Sequence, residues 1–220
     1  MTVRKGSDRS DAGVSVEISP LPRGRHGIPA EEVERNQRER VALAVVRVLA
    51  EHGYAGITVE SLGRAARISR STFYAHFACK EEAVLAAYDL IFARFSAAVA
   101  AVAERESDQR SRVRAAIAIT LDFASAEPAQ AQLLSGLTVC ADPQLSRHVF
   151  DSHDRLALLL CDSGGGGDLA PGVAARALVG ALAVFLARRQ PAGDPGSVRE
   201  LKSKLMALVG DARDDPGSTG

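Results

Sequence analysis

From residue 31 onward the chain repeats its apolar positions at spacings of three and four, and nowhere alternates them with period two over the length of a strand. Val41, Val45, Val48, Leu49 and His52 keep that spacing with Glu and Arg between them, and Gly53 follows, which predicts an amphipathic helix over 31–52. Two shorter segments come next. Thr58 opens the first, over 58–66, with Leu62, Ala65 and Ala66 inward; Ser69 opens the second, over 69–76, with Phe73 inward and Ser71, Thr72, Tyr74 and His76 outward. Longer Ala- and Leu-rich stretches then predict helices over 80–105, 109–126, 128–136, 142–161, 172–189 and 196–210. Their breakers are Ser107-Asp108, Pro128, Asp142-Pro143, the run Gly164 to Gly167 with Pro171, and Asp194-Pro195. The expected fold is all-α with about nine helices: a three-helix N-terminal unit over 31–80 and a helical C-terminal unit over 81–212. Residues 1–30 mix Gly, Ser, Pro and charge with no periodic apolar face, which predicts a disordered basic tail, and 213–220 read as a second disordered tail.

Composition narrows this further. Of 220 residues 46% are hydrophobic and 25% charged, while aromatics are 5% and Trp is absent, so a core is affordable and must be made of Ala, Leu and Val. That excludes a chain disordered throughout and argues against an all-β fold. The longest apolar run without a charge, Ala177 to Ala187, is about half of the roughly 20 residues that a bilayer crossing needs, and the N-terminus has no apolar leader. A cytoplasmic protein with no membrane partner is expected. Cys79, Cys140 and Cys161 are odd in number and scattered, and read as buried small side chains in a reducing compartment. The net charge of zero hides an asymmetry: residues 1–80 carry 13 Lys+Arg against 9 Asp+Glu, and residues 81–220 carry 14 against 18. A basic front suits a polyanionic partner.

Within that front, residues 57–77, ITVESLGRAARISRSTFYAHF, have the order of sizes that a helix-turn-helix demands. Leu62, the small Gly63, Ala66, Ile68 and Phe73 fall where two steeply crossing helices need core and close-contact residues. The outer face of the second helix, Ser69, Arg70, Ser71, Thr72, Tyr74 and His76, is then left free to enter a major groove. The string Gly53-Tyr54, Thr58, Ser69-Arg70-Ser71-Thr72-Phe73-Tyr74-Ala75-His76-Phe77 and Lys80-Glu81-Glu82, within residues 35–90, resembles the TetR-type transcriptional regulators. Arg23-Gly24-Arg25-His26-Gly27 resembles a basic lead-in found in some members. The resemblance implies that Thr58 caps the first helix of the motif and meets a phosphate. Tyr74, His76 and Lys80 would clamp the DNA backbone, and Arg70, Ser71 and Thr72 would contact base edges. Two residues depart from the pattern: Arg67 stands at the turn position usually held by Gly, and Cys79 stands where a better N-cap is usual.

The resemblance further implies that the remaining helices receive an effector and join two subunits. The helix over 172–189 is apolar nearly all round, with Gly180 and several alanines to admit a partner backbone, so a homodimer through Leu178, Leu182 and Phe185 with Leu201 and Leu205 of the last helix is expected. Phe92, Phe95, Leu121, Phe123, Leu133, Leu137, Phe150 and Leu156, with Asp122, Thr138, His148 and His153 as polar anchors, are the candidates for an apolar pocket; Phe95, Asp122, Phe123, Leu137, Phe150 and His153 are the selected set. His148 and His153 are five residues apart, about 140° round a helix, which does not suit a shared metal, and no phosphate loop or nucleophile elbow is present. The reading is a DNA-binding repressor that binds a palindromic operator as a dimer and is released by a small hydrophobic or amphipathic effector. It needs no cofactor, no metal and no catalytic residue. A DNA-binding dimer without a small-molecule effector, and a helical-bundle enzyme, are the alternatives.

Overall fold

The structure is a computed structural model and describes residues 29–136, 143–159 and 169–188, with 200 and 203 besides. Among the described residues every regular element is helical: α1 (Ala30–His52), α2 (Val59–Ala66), α3 (Arg70–His76), α4 (Lys80–Ala103), α5 (Gln109–Ala126), α6 (Pro128–Ser135), α7 (Pro143–Leu159) and α8 (Leu169–Arg188). A 3₁₀ turn at Tyr54–Gly56, which the periodicity does not predict, joins α1 to α2. The expected tails, the Gly164 to Gly167 connector and nearly all of the expected last helix lie outside the described residues, as do Cys140 and Cys161.

The helix ends follow local chemistry. Asp108 Oδ1 accepts the Ser111 N–H at 2.9 Å and so starts α5; that backbone bond, with one from the Ser111 hydroxyl, holds the Asp108 carboxyl below its ordinary range. Pro128 starts α6, where its missing N–H is not needed, and Gly136 ends it at φ 71°. α8 begins at Leu169, before the expected 172, because Pro171 is tolerated in a first turn. Cys79 precedes α4 with no side-chain cap; instead the Ala78 N–H donates to Glu82 Oε2 at 2.7 Å. Cys79 is exposed, which corrects its assignment to the interior: the residue stands outside the helix it precedes, on a turn facing solvent.

α1 lies against α2, α4 and α6, α4 also packs on α5, α6 and α7, and α8 covers α6 and α7. One continuous core links these layers. It runs from Val41, Val45, Leu49, Leu62, Phe73 and Phe77 through Ala83, Val84, Ala87 and Ile91 to Phe123, Leu133, Val149 and Val179. α4 is long and apolar enough by length and composition to cross a bilayer, but here its side bearing Tyr88, Ile91, Phe95 and Val99 is buried by the other helices.

Candidate functional site

The α2–turn–α3 unit is set by hydrogen bonds at both ends of each helix. Thr58 precedes α2 in extended conformation; its Oγ1 accepts the Ser61 N–H at 3.0 Å while Ser61 Oγ accepts the Thr58 N–H at 2.9 Å, a reciprocal cap. α2 ends on Arg67 at φ 56°, ψ 47°, with the Ile68 N–H bonded to Gly63 O at 2.9 Å and the Arg67 N–H to Arg64 O at 3.3 Å. This is the left-handed cap that glycine usually supplies. It also explains Gly63, because a Cβ there would stand 3.2 Å from the Ile68 carbonyl oxygen. Ser69 then caps α3, accepting the Thr72 N–H at 3.0 Å, and its Oγ lies 2.8 Å from both the Ser71 and the Thr72 hydroxyl oxygens.

Phe73 and Phe77 are sunk in the core, as the spacing predicts, and their rings lie 5.5 Å apart. The opposite side of α3 is open. Ser69, Arg70 and Ser71 are exposed, Thr72 is half-buried, and Tyr74 is 48% exposed with the Arg70 guanidinium 5.6 Å from its ring centre. Thr58 is exposed on the same unit, and Lys80 Nζ rests 5.5 Å from the Tyr54 ring. Hydroxyls, one guanidinium and one phenol thus share the open side of α3, a set suited to phosphate oxygens and base edges.

His76 does not share it. Its side chain is 8% exposed, its Nε2 lies 2.6 Å from Gln37 Oε1 of α1, and its Nδ1 is buried without a hydrogen bond, 4.0 Å from Glu34 Oε1. The expectation of an outward backbone clamp is therefore corrected: α1 lies over the C-terminal end of α3 and takes the ring. Two arginines of α1 that sequence reasoning passed over act at the same ends. Arg38 Nη1 donates to His76 O at 2.8 Å, and Arg40 donates to Ala66 O and, at 3.4 Å, to Arg67 O. Nothing in a helical periodicity marks a side chain that reaches across to a carbonyl.

A second feature lies among α4, α5, α6, α7 and α8, a cavity of about 40 Å³. Phe92, Phe95, Phe123, Leu156, Leu178 and Leu182 are among its walls, and Thr120, Ser135 and His153 are its polar members. Their donors are already used. Thr120 donates to Ala116 O, Ser135 to Gln132 O, and His153 Nε2 to Leu134 O at 3.0 Å, while burial holds the His153 imidazole below its ordinary pKa and hence neutral. Of the selected pocket residues, Phe95, Phe123 and His153 are brought together here. Asp122 is exposed and Phe150 is 61% exposed, so both are corrected: each sits on the solvent side of its own helix; Leu137 lies outside the described residues. Leu178 and Leu182 are likewise corrected from a subunit interface to the cavity wall, because α8 turns that side onto the chain's own helices. The Phe185 side chain, Leu201 and Leu205 lie outside the described residues. His148 Nε2 lies 2.5 Å from Asp89 Oδ1 and joins α7 to α4 instead of approaching His153.

Residues 44–87 match the profile of the family described as bacterial regulatory proteins, tetR family. This chain thus carries a tetR-type segment over those residues. Its fold is shared by solved regulators at low sequence identity. The fatty acid degradation regulator FadR of Bacillus halodurans is 18% identical with a TM-score of 0.64, over 79% of this chain and 94% of that one. FadR of Thermus thermophilus, a transcriptional repressor in complex with lauroyl-CoA, is 19% identical with a TM-score of 0.53, over 83% and 100%. AibR in complex with isovaleryl coenzyme A and operator DNA is 14% identical with a TM-score of 0.55, over 78% and 97%. Comparison with curated proteins returns no match. The chain thus joins an N-terminal helix-turn-helix unit of the tetR type to a C-terminal helical unit.

Proposed function

We propose that this regulator is a cytoplasmic repressor that binds a palindromic operator as a homodimer, presents one α3 to each half-site, and is released by a small apolar or amphipathic effector. The observation that carries the reading is the two-sidedness of α3: Phe73 anchors one side in the core and Ser69, Arg70, Ser71 and Tyr74 stand uncovered on the other. Arg70, Ser71 and Thr72 near the start of the helix are the base readers, and Thr58, Ser69, Tyr74 and Lys80 hold the phosphates. Two subunits are needed because one short helix gives too small an interface for tight specific binding. The outward side of α8, where Ala177, Gly180, Ala181 and Val184 are exposed, is the surface we assign to the partner subunit, together with the end of the chain.

For the effector, the two solved relatives holding acyl coenzyme A thioesters support an acyl chain in the cavity. At its edge the Arg155 guanidinium lies 5.7 Å from the Phe92 ring, a cation beside an apolar wall that suits an anionic head group. The cavity of about 40 Å³ is far below the ~300 Å³ and more of ligand pockets. The effector must therefore bind best to an arrangement in which these helices stand further apart, which is the condition for it to shift DNA affinity at all. The rival reading, a DNA-binding dimer with no small-molecule effector, draws its support from the same small volume. The test is selection of a duplex from random sequence by the full chain, followed by titration against salt. Tyr74→Phe should weaken binding, and Lys80→Ala should weaken it and flatten the salt dependence by about one unit of slope. Unchanged affinity in both variants overturns the DNA assignment. A melting temperature that lauroyl-CoA and free fatty acids leave unmoved favours the effector-free reading.

A further inference from the structure

The recognition helix is only seven residues long, too short to hold itself, and its C-terminal end, closed locally by the Phe77 N–H on Phe73 O at 2.9 Å, is fastened further by α1. Arg38 Nη1 reaches His76 O at 2.8 Å across 38 residues of sequence, and the same guanidinium lies 4.8 Å from the centre of the Phe77 ring. One residue earlier on α1, Gln37 Oε1 accepts from His76 Nε2 at 2.6 Å. Both bonds close on the last residue of α3, where the helix leaves carbonyls without partners and where a cation complements its dipole. Arg40 does the same for α2 at Ala66 O.

From this, and resting on the reading that α3 meets DNA, we propose that Arg38 and Gln37 are positioning residues for operator binding: they fix the tilt of the recognition helix without touching DNA. The base readers Arg70, Ser71 and Thr72 sit at the opposite end of α3 from the clamp. Across about 10 Å of helix, a slip of about 1 Å at His76 tilts the axis by about 6°, enough to spoil bidentate contacts whose geometry is strict. α1 also packs on α6, which supplies Leu134 and Ser135 to the cavity, so the clamp gives α3 a tie to the effector side that does not pass along α4.

The test uses the full chain carrying Arg38→Met, Gln37→Leu or Arg38→Lys, read by amide hydrogen exchange of the free protein and by affinity for the selected duplex. Arg38→Met is expected to speed exchange about tenfold across residues 71–77 and leave the α4 amides unchanged. It should weaken DNA binding about tenfold with the salt slope intact, because no phosphate contact is lost. Gln37→Leu should do the same to a smaller extent. Arg38→Lys should recover part of both effects, since an ammonium reaches the carbonyl but cannot lie flat on Phe77. Unchanged exchange in residues 71–77 overturns the clamp, and so does exchange that rises equally through α4, which marks a general loss of stability. A salt slope that falls by about one unit makes Arg38 a phosphate ligand and overturns the positioning role. If the wild-type chain selects no duplex, the DNA reading falls, and the exchange result alone decides whether α1 holds α3.

Discussion

Replacing Arg67 by glycine should stabilise the protein. Arg67 is the sole non-glycine residue with positive φ among those described, at φ 56° and ψ 47°. A Cβ in that region costs about 1–2 kcal/mol. The cost is sustained here because four bonds fix the turn: Ile68 N–H to Gly63 O, Arg67 N–H to Arg64 O, and Arg40 to the carbonyls of Ala66 and Arg67. All four end on backbone atoms between residues 63 and 68 and none uses the Arg67 side chain, so glycine keeps them. The Arg67 side chain is exposed and has no hydrogen bond or ion pair among the described residues, so removing it forfeits nothing. Against the relief stands the freedom that glycine gives the unfolded chain, about 0.4–1 kcal/mol. The balance is a gain of roughly 0.5–1 kcal/mol, which for a chain of this size raises the thermal midpoint by about 1–4 °C. Circular dichroism melts of Arg67→Gly beside Arg67→Ala separate backbone from side chain, because alanine keeps the Cβ and should leave the midpoint nearly where it was. A lower midpoint for Arg67→Gly, or an equal rise for Arg67→Ala, refutes the argument from strain.

Three further outcomes are expected. Phe73→Ala, at a fully buried site shared by α3 and the core, should cost about 3–5 kcal/mol in denaturant unfolding and abolish DNA binding through loss of α3. Thr58→Ala removes one half of the reciprocal cap of α2 and should cost about 1 kcal/mol, while Thr58→Ser keeps the oxygen and most of the stability in the same unfolding assay. Burial lowers the His153 pKa, so below about pH 6.5 the unfolded chain takes up a proton that the folded chain resists. Stability is therefore fully present above that pH and declines as pH falls from 6.5 toward the depressed folded value. Urea midpoints measured from pH 8 to pH 5 should show this decline, and His153→Gln, which keeps an N–H for Leu134 O, should reduce it.

The helices were legible because their punctuation is local. Asp108, Pro128 and Gly136 cap, start and stop α5 and α6 through their own backbone chemistry, and the expected 109–126 coincides with Gln109–Ala126. The helix-turn-helix was legible for the same reason: Gly63, Ile68 and Phe73 are near neighbours whose sizes alone fix a steep crossing. Arg67 departs from the glycine usual at the turn, and it adopts the left-handed conformation that glycine reaches more easily. What could not be read is which neighbour takes a given side. α8 is apolar nearly all round, so nothing in its sequence distinguishes the Leu178 and Leu182 side, which closes the cavity, from the Ala177 and Gly180 side, which faces out. Phe150 looked like a wall residue by type and stands in solvent, while His76 looked polar enough for the surface and lies under α1. Those outcomes are decided by contacts between different helices, such as that of Gln37 with His76 39 residues away, where periodicity has no information.

The unbroken interior shared by the reading head and the helices behind it has a consequence for anyone wishing to transplant the head. Ala83, Val84 and Ala87, at the start of α4, belong to the same buried cluster as Val45, Leu49, Phe73 and Phe77. A cut after residue 80 would therefore not free a self-sufficient module; it would leave a three-helix fragment with an open greasy flank. A chimaera that swaps sensors must carry the first turns of α4 along with the head, and the joint belongs beyond them.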